Sequence, residues 1–278
     1  RTPLPLSSFT IDSICRLNLE AFVHELREYP SPRKEYVLAG IRDGFRMGFV
    51  PERMVLPPSL RNLKSASRHP DVIDKYLSAE LAHRRVACPY PYLPTTLSPN
   101  QSVWGYSETP STGKWRLILH LASHQGASVN DGLPKDPFSM RYISFDDAII
   151  SLVDIGPGAL MAKFDVQAAY RNIPINVSDR HLLGMYWRDS FYVDLVLPFG
   201  LRFAPFIFDS VASAVHWILS NNYHVHPLFH YLDYYYLWVP RRLQCAKPTS
   251  TLSLPSSTTW VSFLIMRNAR VPQPAWCS

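Results

Sequence analysis

Two carboxylates in this chain stand where they can do chemistry. Asp165 closes the apolar run ALMAKFD, and Asp233 sits inside FHYLDYYYLWVP, among six aromatic rings. An acid held among apolar groups costs several kcal/mol unless a charge, a hydrogen-bond network or a metal compensates it. Acids that close apolar strands can meet at the rim of one sheet and share divalent metal. Two-metal phosphoryl-transfer sites hold ions roughly 3.5–4 Å apart on a few such groups. Taken singly, each aspartate also fits a turn cap.

The elements that must position these acids are legible as patterns. ALMAKFDV reads as a strand ending at Asp165, and LFHYLDYYYLWV as two short β segments with Asp233 at or near their turn. SFDDAIISLVDIG predicts a helix opened by a Ser144/Asp147 capping box and ended by Gly156-Pro157-Gly158. Within KWRLILHLAS, residues 115–121 read as a strand, and SFYVDLVLPFG as another strand running into a turn at Pro198 to Gly200. APFIFDSVASAVHWILSNN predicts a helix with Phe206, Ile207, Val211, Ala214, Val215 and Ile218 inward.

Upstream, NLEAFVHELREYP reads as a helix stopped by Pro30, and SPRKEYVLAGIRDGF as a second with Ser31 as N-cap. HPDVIDKYLSAELAHRRV carries Val72, Ile73, Tyr76, Leu77 and Leu81 on one stripe, with Arg84 and Arg85 in its last turn. The proline-rich CPYPYLPTTLSPN marks a boundary. The expected organisation is a helical extension over 1–95, a mixed domain over 96–240 and an irregular Ser/Thr/Pro-rich tail over 241–278. Strands and helices alternate without a GxGxxG or GxxxxGK[ST] loop, which excludes a nucleotide-binding doubly wound fold and indicates α+β.

Composition agrees with an anionic partner. The 278 residues carry a net charge of +6, and 47% are hydrophobic, enough for a substantial core. Four widely spaced cysteines without a CxxC pair fit a reducing compartment. No signal peptide or membrane-length apolar run is present, so an intracellular place, cytoplasm or nucleus, is expected, without membrane partners. A first residue of Arg1 suggests a piece of a longer reading frame. The four histidines 216, 224, 226 and 230 could suggest a metal cluster, but His224 and His226 lie in an irregular stretch with no acid or cysteine at ligand spacing, and loop histidines are the reading.

Four blocks in order, KWRLIL…SVNDG, AKFDVQAAYR, LPFGLRFAPFIF and FHYLDYYYL, resemble a reverse transcriptase. With VLAGIRDGFRMGF, SDRHLLGMYWR and GPGALMAKFDV, the resemblance is to the domain of DIRS-type (tyrosine-recombinase) retrotransposons, over residues 18 to 245. It implies the palm and fingers of a right-hand polymerase behind a helical extension, with no complete thumb. By resemblance Asp165 and Asp233 are the catalytic, metal-binding acids. Val166 gives a backbone contact to metal and incoming nucleotide, and Tyr170 is the steric gate against a ribose 2′-OH. Lys114 and Arg116 grip the triphosphate, for which a planar guanidinium suits. Phe199 and Gly200 line the nucleotide pocket and template. The implied cofactor is Mg2+ or Mn2+ in a two-metal site. The implied partners are an RNA or DNA template with primer, deoxynucleoside triphosphates, and the other domains of a retroelement polyprotein.

Several positions depart from the family pattern. Its turn reads Tyr-x-Asp-Asp, whereas here Tyr234 follows Asp233, one base change from aspartate. His120 stands where an acid is usual, and Ser107, Glu108 and Thr109 where Pro-Lys-Lys is common. After Cys245 the primer-holding strand is not recognisable, as a shifted frame would produce. The expectation is a degenerate, catalytically impaired copy, or a remnant that binds nucleic acid without turnover. An unrelated metal-dependent hydrolase built on the same two acids is the third reading.

Overall fold

The computed structural model describes residues 17–50, 62, 64–90, 104–109, 114–119, 121–122, 128–134, 143–239 and 273–274. The chain divides into two compact units that alternate along the sequence. One comprises 1–16, 39–138 and 170–204, and the other 17–38, 139–169 and 205–278. The tail over 241–278 lies outside the described residues except for 273–274.

In chain order the helices and strands are α1 (Leu19–Glu25), α2 (Ser31–Asp43), α3 (Lys64–Arg68), α4 (Pro70–Ala82), β1 (Val86–Tyr90), β2 (Trp104–Thr109) and β3 (Lys114–Leu119). There follow α5 (Phe145–Ile155), β4 (Leu160–Asp165), β5 (Gly184–Trp187), β6 (Ser190–Asp194), α6 (Ala204–Trp217), β7 (Leu228–Tyr231), β8 (Tyr234–Val239) and β9 (Gln273–Pro274). The architecture mixes helices with antiparallel sheets, as expected.

In the unit containing 205–278, one sheet has the order β7-β8-β4-β9, every pair antiparallel. Alternation along β8 sorts its aromatic run: Tyr235 and Leu237 are buried, while Tyr234, Tyr236 and Trp238 share the opposite face. The buried face meets α6, where the Tyr235 hydroxyl donates to the Ala212 carbonyl at 2.9 Å. His230 and His216 face each other there at 3.0 Å between Nδ1 atoms, and burial pushes His216 down to about 4. In this contact one ring nitrogen donates and the other accepts. These two histidines belong to β7 and α6, whereas His224 and His226 lie in an irregular stretch. On α6, Phe208 is buried and Phe206 only partly so, which rotates the inward stripe slightly from the expected one.

Local chemistry explains the start of β4. Ser144 Oγ accepts from the Asp147 N–H at 3.1 Å and Asp147 accepts from the Ser144 N–H at 3.2 Å, closing the expected capping box of α5. Gly156, at φ 91°, ends that helix in a backbone region that disfavours side chains and turns the chain into β4.

In the unit containing 39–138, β1, β6 and β5 form one sheet and β2 with β3 a hairpin. The helix α4 buries Ile73, Leu77 and also Glu80, which the apolar stripe did not include. Glu80 is paired. Arg171 Nη2 lies 2.6 Å and Arg85 Nη1 3.4 Å from its carboxylate, and Arg171 Nη1 lies 2.7 Å from Asp194. Burial opposes the charge on Arg171, but Asp194, Tyr76 and Glu80 outweigh it and hold the guanidinium further above its usual range. Arg85, expected at an exposed helix end, is instead buried in this cluster, because Arg84 at φ 53° breaks the helix and turns the chain. Ser31 is likewise not a cap: it is the first helical residue, and the Pro30 carbonyl accepts from the Lys34 N–H. Among the described residues no helix is long and apolar enough to cross a membrane.

Candidate active site

The two acids singled out by sequence come to the same edge of the four-stranded sheet. The register of β4 with β8 sets Asp165 opposite Tyr234 and Lys163 opposite Tyr236. The β7–β8 pairing sets Tyr231 opposite Tyr234, leaving Leu232 and Asp233 as a two-residue hairpin turn. Leu232 takes φ 52°, a left-handed conformation that a branched side chain seldom adopts. The Val166 N–H donates to the Asp233 carbonyl at 2.9 Å, tying the turn to the end of β4. Val166 itself is buried.

Asp233 senses Asp165. Burial pushes the Asp233 carboxyl up; its own backbone hydrogen bond opposes this, the charge on Asp165 adds to it, and Lys163 pulls the other way. Lys163 is the residue that reading the sequence missed. Its Nζ lies 4.0 Å from the centroid of the Tyr234 ring and 5.7 Å from that of Tyr236, a cation–π arrangement. The signal was available in AKFD, because residues two apart on a strand share a face and Lys163 therefore projects on the side of Asp165.

Among the described residues, no three His, Cys, Asp or Glu side chains gather as a metal cluster. Asp165 and Asp233 form a pair, with a neutral phenol and an ammonium beside them. That donor set offers a dication two carboxylates, and Mg2+ is usually held by one or two of these together with substrate phosphates.

The remaining sequence-derived residues belong to the other unit. Tyr170 lies in a short 3-10 turn, Ala169–Asn172, and its ring stacks on Phe199 with centroids 5.1 Å apart and planes 26° apart. Phe199 is 52% exposed, unusual for a ring of its size. Gly200 adopts φ 96°, and a Cβ there would meet the Leu119 carbonyl oxygen at 2.5 Å. The loop is further held by Asn130, whose amide donates to the Gly200 carbonyl and accepts from the Arg202 N–H, both at 2.9 Å. This gives SVNDG the role that its sequence did not reveal: Ser128 and Asp131 cap a buried turn that presents Asn130 to the LPFG loop. Lys114 and Arg116 lie on β3, opposite Thr109 and Ser107, and their side chains fall outside the described residues.

A Gly200→Ala substitution is expected to destabilise the protein by about 2 kcal/mol or more, since both the backbone angle and the carbonyl contact oppose a methyl group. With a typical urea dependence, the unfolding midpoint falls by about 1 M. An unchanged midpoint would show that the loop moves freely to accept a side chain.

No protein-family model matches the chain, and no curated protein matches it in sequence. Solved structures do match. The foamy viral protease–reverse transcriptase in complex with an RNA/DNA hybrid is 13% identical with a TM-score of 0.52, over 95% of this chain and 32% of that one. The same enzyme in complex with double-stranded DNA is 14% identical with a TM-score of 0.49, over 85% of this chain and 46% of that one. The native prototype foamy virus protein is 16% identical with a TM-score of 0.48, over 85% and 29%. The chain thus spans less than half the length of these structures. Its fold is reverse-transcriptase-like.

Proposed function

We propose that the chain is the reverse transcriptase domain, an RNA-directed DNA polymerase, of a DIRS-type retroelement polyprotein, and that it is catalytically impaired. The observation that carries this reading is the hairpin turn that brings Asp233 to Asp165 at one sheet edge, with Tyr234 in place of a second acid. In this reading the four-stranded sheet belongs to the palm and the β2–β3 hairpin to the fingers. Asp165 and Asp233 are the catalytic pair, and Tyr170 with Phe199 forms the wall beneath the incoming sugar. Gly200 lets the loop backbone pass close to β3, and Lys114 and Arg116 meet the triphosphate. Mg2+ or Mn2+ is the cofactor, held weakly. Its part when bound is to neutralise charge building up on the transferring phosphate, and Asp165 and Asp233 would contribute two formal negative charges to hold it.

The resolved groups permit part of the work without the metal. The Val166 N–H fixes the turn, the Asn130 amide fixes the LPFG loop, and the Tyr170 and Phe199 rings stack into a face on which an incoming sugar would rest. The second reading, a remnant that binds nucleic acid without turnover, is favoured by the ammonium of Lys163 lying over Tyr234.

Both readings require binding to a DNA primer on an RNA template. About four phosphate contacts would make affinity fall about a hundredfold between 50 and 200 mM salt, through counterion release. The measurement is filter binding across that range. Salt-independent binding, or none at the low-salt end, removes both and leaves the hydrolase reading.

A further inference from the structure

We propose that Lys163 is the resident counter-cation of the Asp165–Asp233 pair and that, seated over Tyr234 and Tyr236, it keeps divalent metal off these carboxylates. The inference rests on the reading of Asp165 and Asp233 as the metal-binding pair, and goes beyond it by naming what occupies the site.

Tyrosine at position 234 does two things at once. It withdraws one negative charge, and it supplies an electron-rich ring face on which the ammonium rests at 4.0 Å. The Tyr236 ring, directly opposite Lys163 across the strands, adds a second wall at 5.7 Å. Lys163 and Asp165 lie two residues apart on β4 and share a face, so the held ammonium is on the acids' side of the sheet. The three formal charges sum to one negative, and a dication entering between the acids would share their face with the ammonium. If the two cations came to lie about 6 Å apart they would repel by about 1.4 kcal/mol even at the dielectric constant of water, a factor of about ten in affinity.

The test is a Mn2+ titration of the purified chain without nucleotide or nucleic acid, followed by loss of the free-ion electron paramagnetic resonance signal. Lys163→Met and Lys163→Gln remove the charge, Lys163→Arg keeps it, and far-UV circular dichroism checks that each variant is folded. Lys163 is exposed, so truncating its charge leaves the core untouched. The expected result is at least about tenfold tighter Mn2+ binding by the Met and Gln variants than by the unmodified chain or Lys163→Arg. Adding Asp165→Ala should abolish the gain. Equal affinity for Lys163→Met and the unmodified chain overturns the proposal, as does a gain that survives Asp165→Ala, or an absence of binding in every variant.

Tyr234→Asp separates this inference from the polymerase reading. Tighter Mn2+ binding from Tyr234→Asp, with none from Lys163→Met, sinks the counter-cation and spares the polymerase. A gain from Lys163→Met, with no nucleotide incorporation by Tyr234→Asp, does the reverse.

Discussion

Deoxynucleotide incorporation on an RNA template with a DNA primer is expected to lie near background for the unmodified chain and to rise by up to about a hundredfold in Tyr234→Asp. Transition states of phosphoryl transfer accumulate negative charge, and the enzyme's share of the work is to hold cations where that charge develops. If loss of one acid raises the barrier by about 3 kcal/mol, the rate falls roughly a hundredfold, since about 1.4 kcal/mol is tenfold. The new carboxylate would stand opposite Asp165 on β8, within reach of the Lys163 ammonium now resting on the Tyr234 ring. Part of its charge would then be spent on Lys163 rather than on metal, so recovery in the single variant stays incomplete. Tyr234→Asp combined with Lys163→Met should exceed it. Asp165→Ala sets the background. Robust extension by the unmodified chain, well above that background, would remove the impairment from the proposed function.

The largest effect on stability is expected from Arg171→Met, a loss of about 3–5 kcal/mol, the range found when one partner of a buried ion cluster is removed. Glu80 would keep only the longer 3.4 Å contact from Arg85, and Asp194 would lose its 2.7 Å contact from Arg171. Both carboxylates are buried, so neither can turn to water without opening the unit. At about 2–4 °C per kcal/mol for a protein of this size, the thermal midpoint should drop by roughly 10 °C or more. The control is the triple variant Glu80→Gln, Arg171→Met, Asp194→Asn, which removes the charges together. It should be more stable than Arg171→Met alone, because the penalty comes from the uncompensated acids. A midpoint for Arg171→Met within about 2 °C of the unmodified chain would mean that water already reaches the cluster.

These expectations draw unequally on sequence and structure. The capping box of α5 was legible because both partners lie within three residues, and no distant contact competes for them. The same holds for β4 and for the β7–β8 hairpin, where apolar runs are interrupted by a two-residue turn. By contrast, Glu80 looked like one more polar residue on a helix, and Arg85 like a cation suited to the helix end. Their pairing with Arg171 and Asp194 joins the end of α4 to two segments far along the chain, and nothing local records that. Asn130 was similarly mute, since its two partners lie about 70 residues downstream at Gly200 and Arg202.

The sequence by itself determined which residues share a face within each strand at the sheet edge. Strand alternation and the two-residue turn are properties of short stretches, and they alone fix the sides on which Asp165, Asp233 and Tyr234 project. Tertiary structure decided what those groups do to one another. The β4–β8 register set Lys163 opposite Tyr236 and Asp165 opposite Tyr234, and a shift of one residue would have sent the ammonium to the buried face. Coulomb and cation–π energies depend on separations of a few ångströms. Such separations are set when strands pair, which is why the charge balance of this site could be read only from the folded chain.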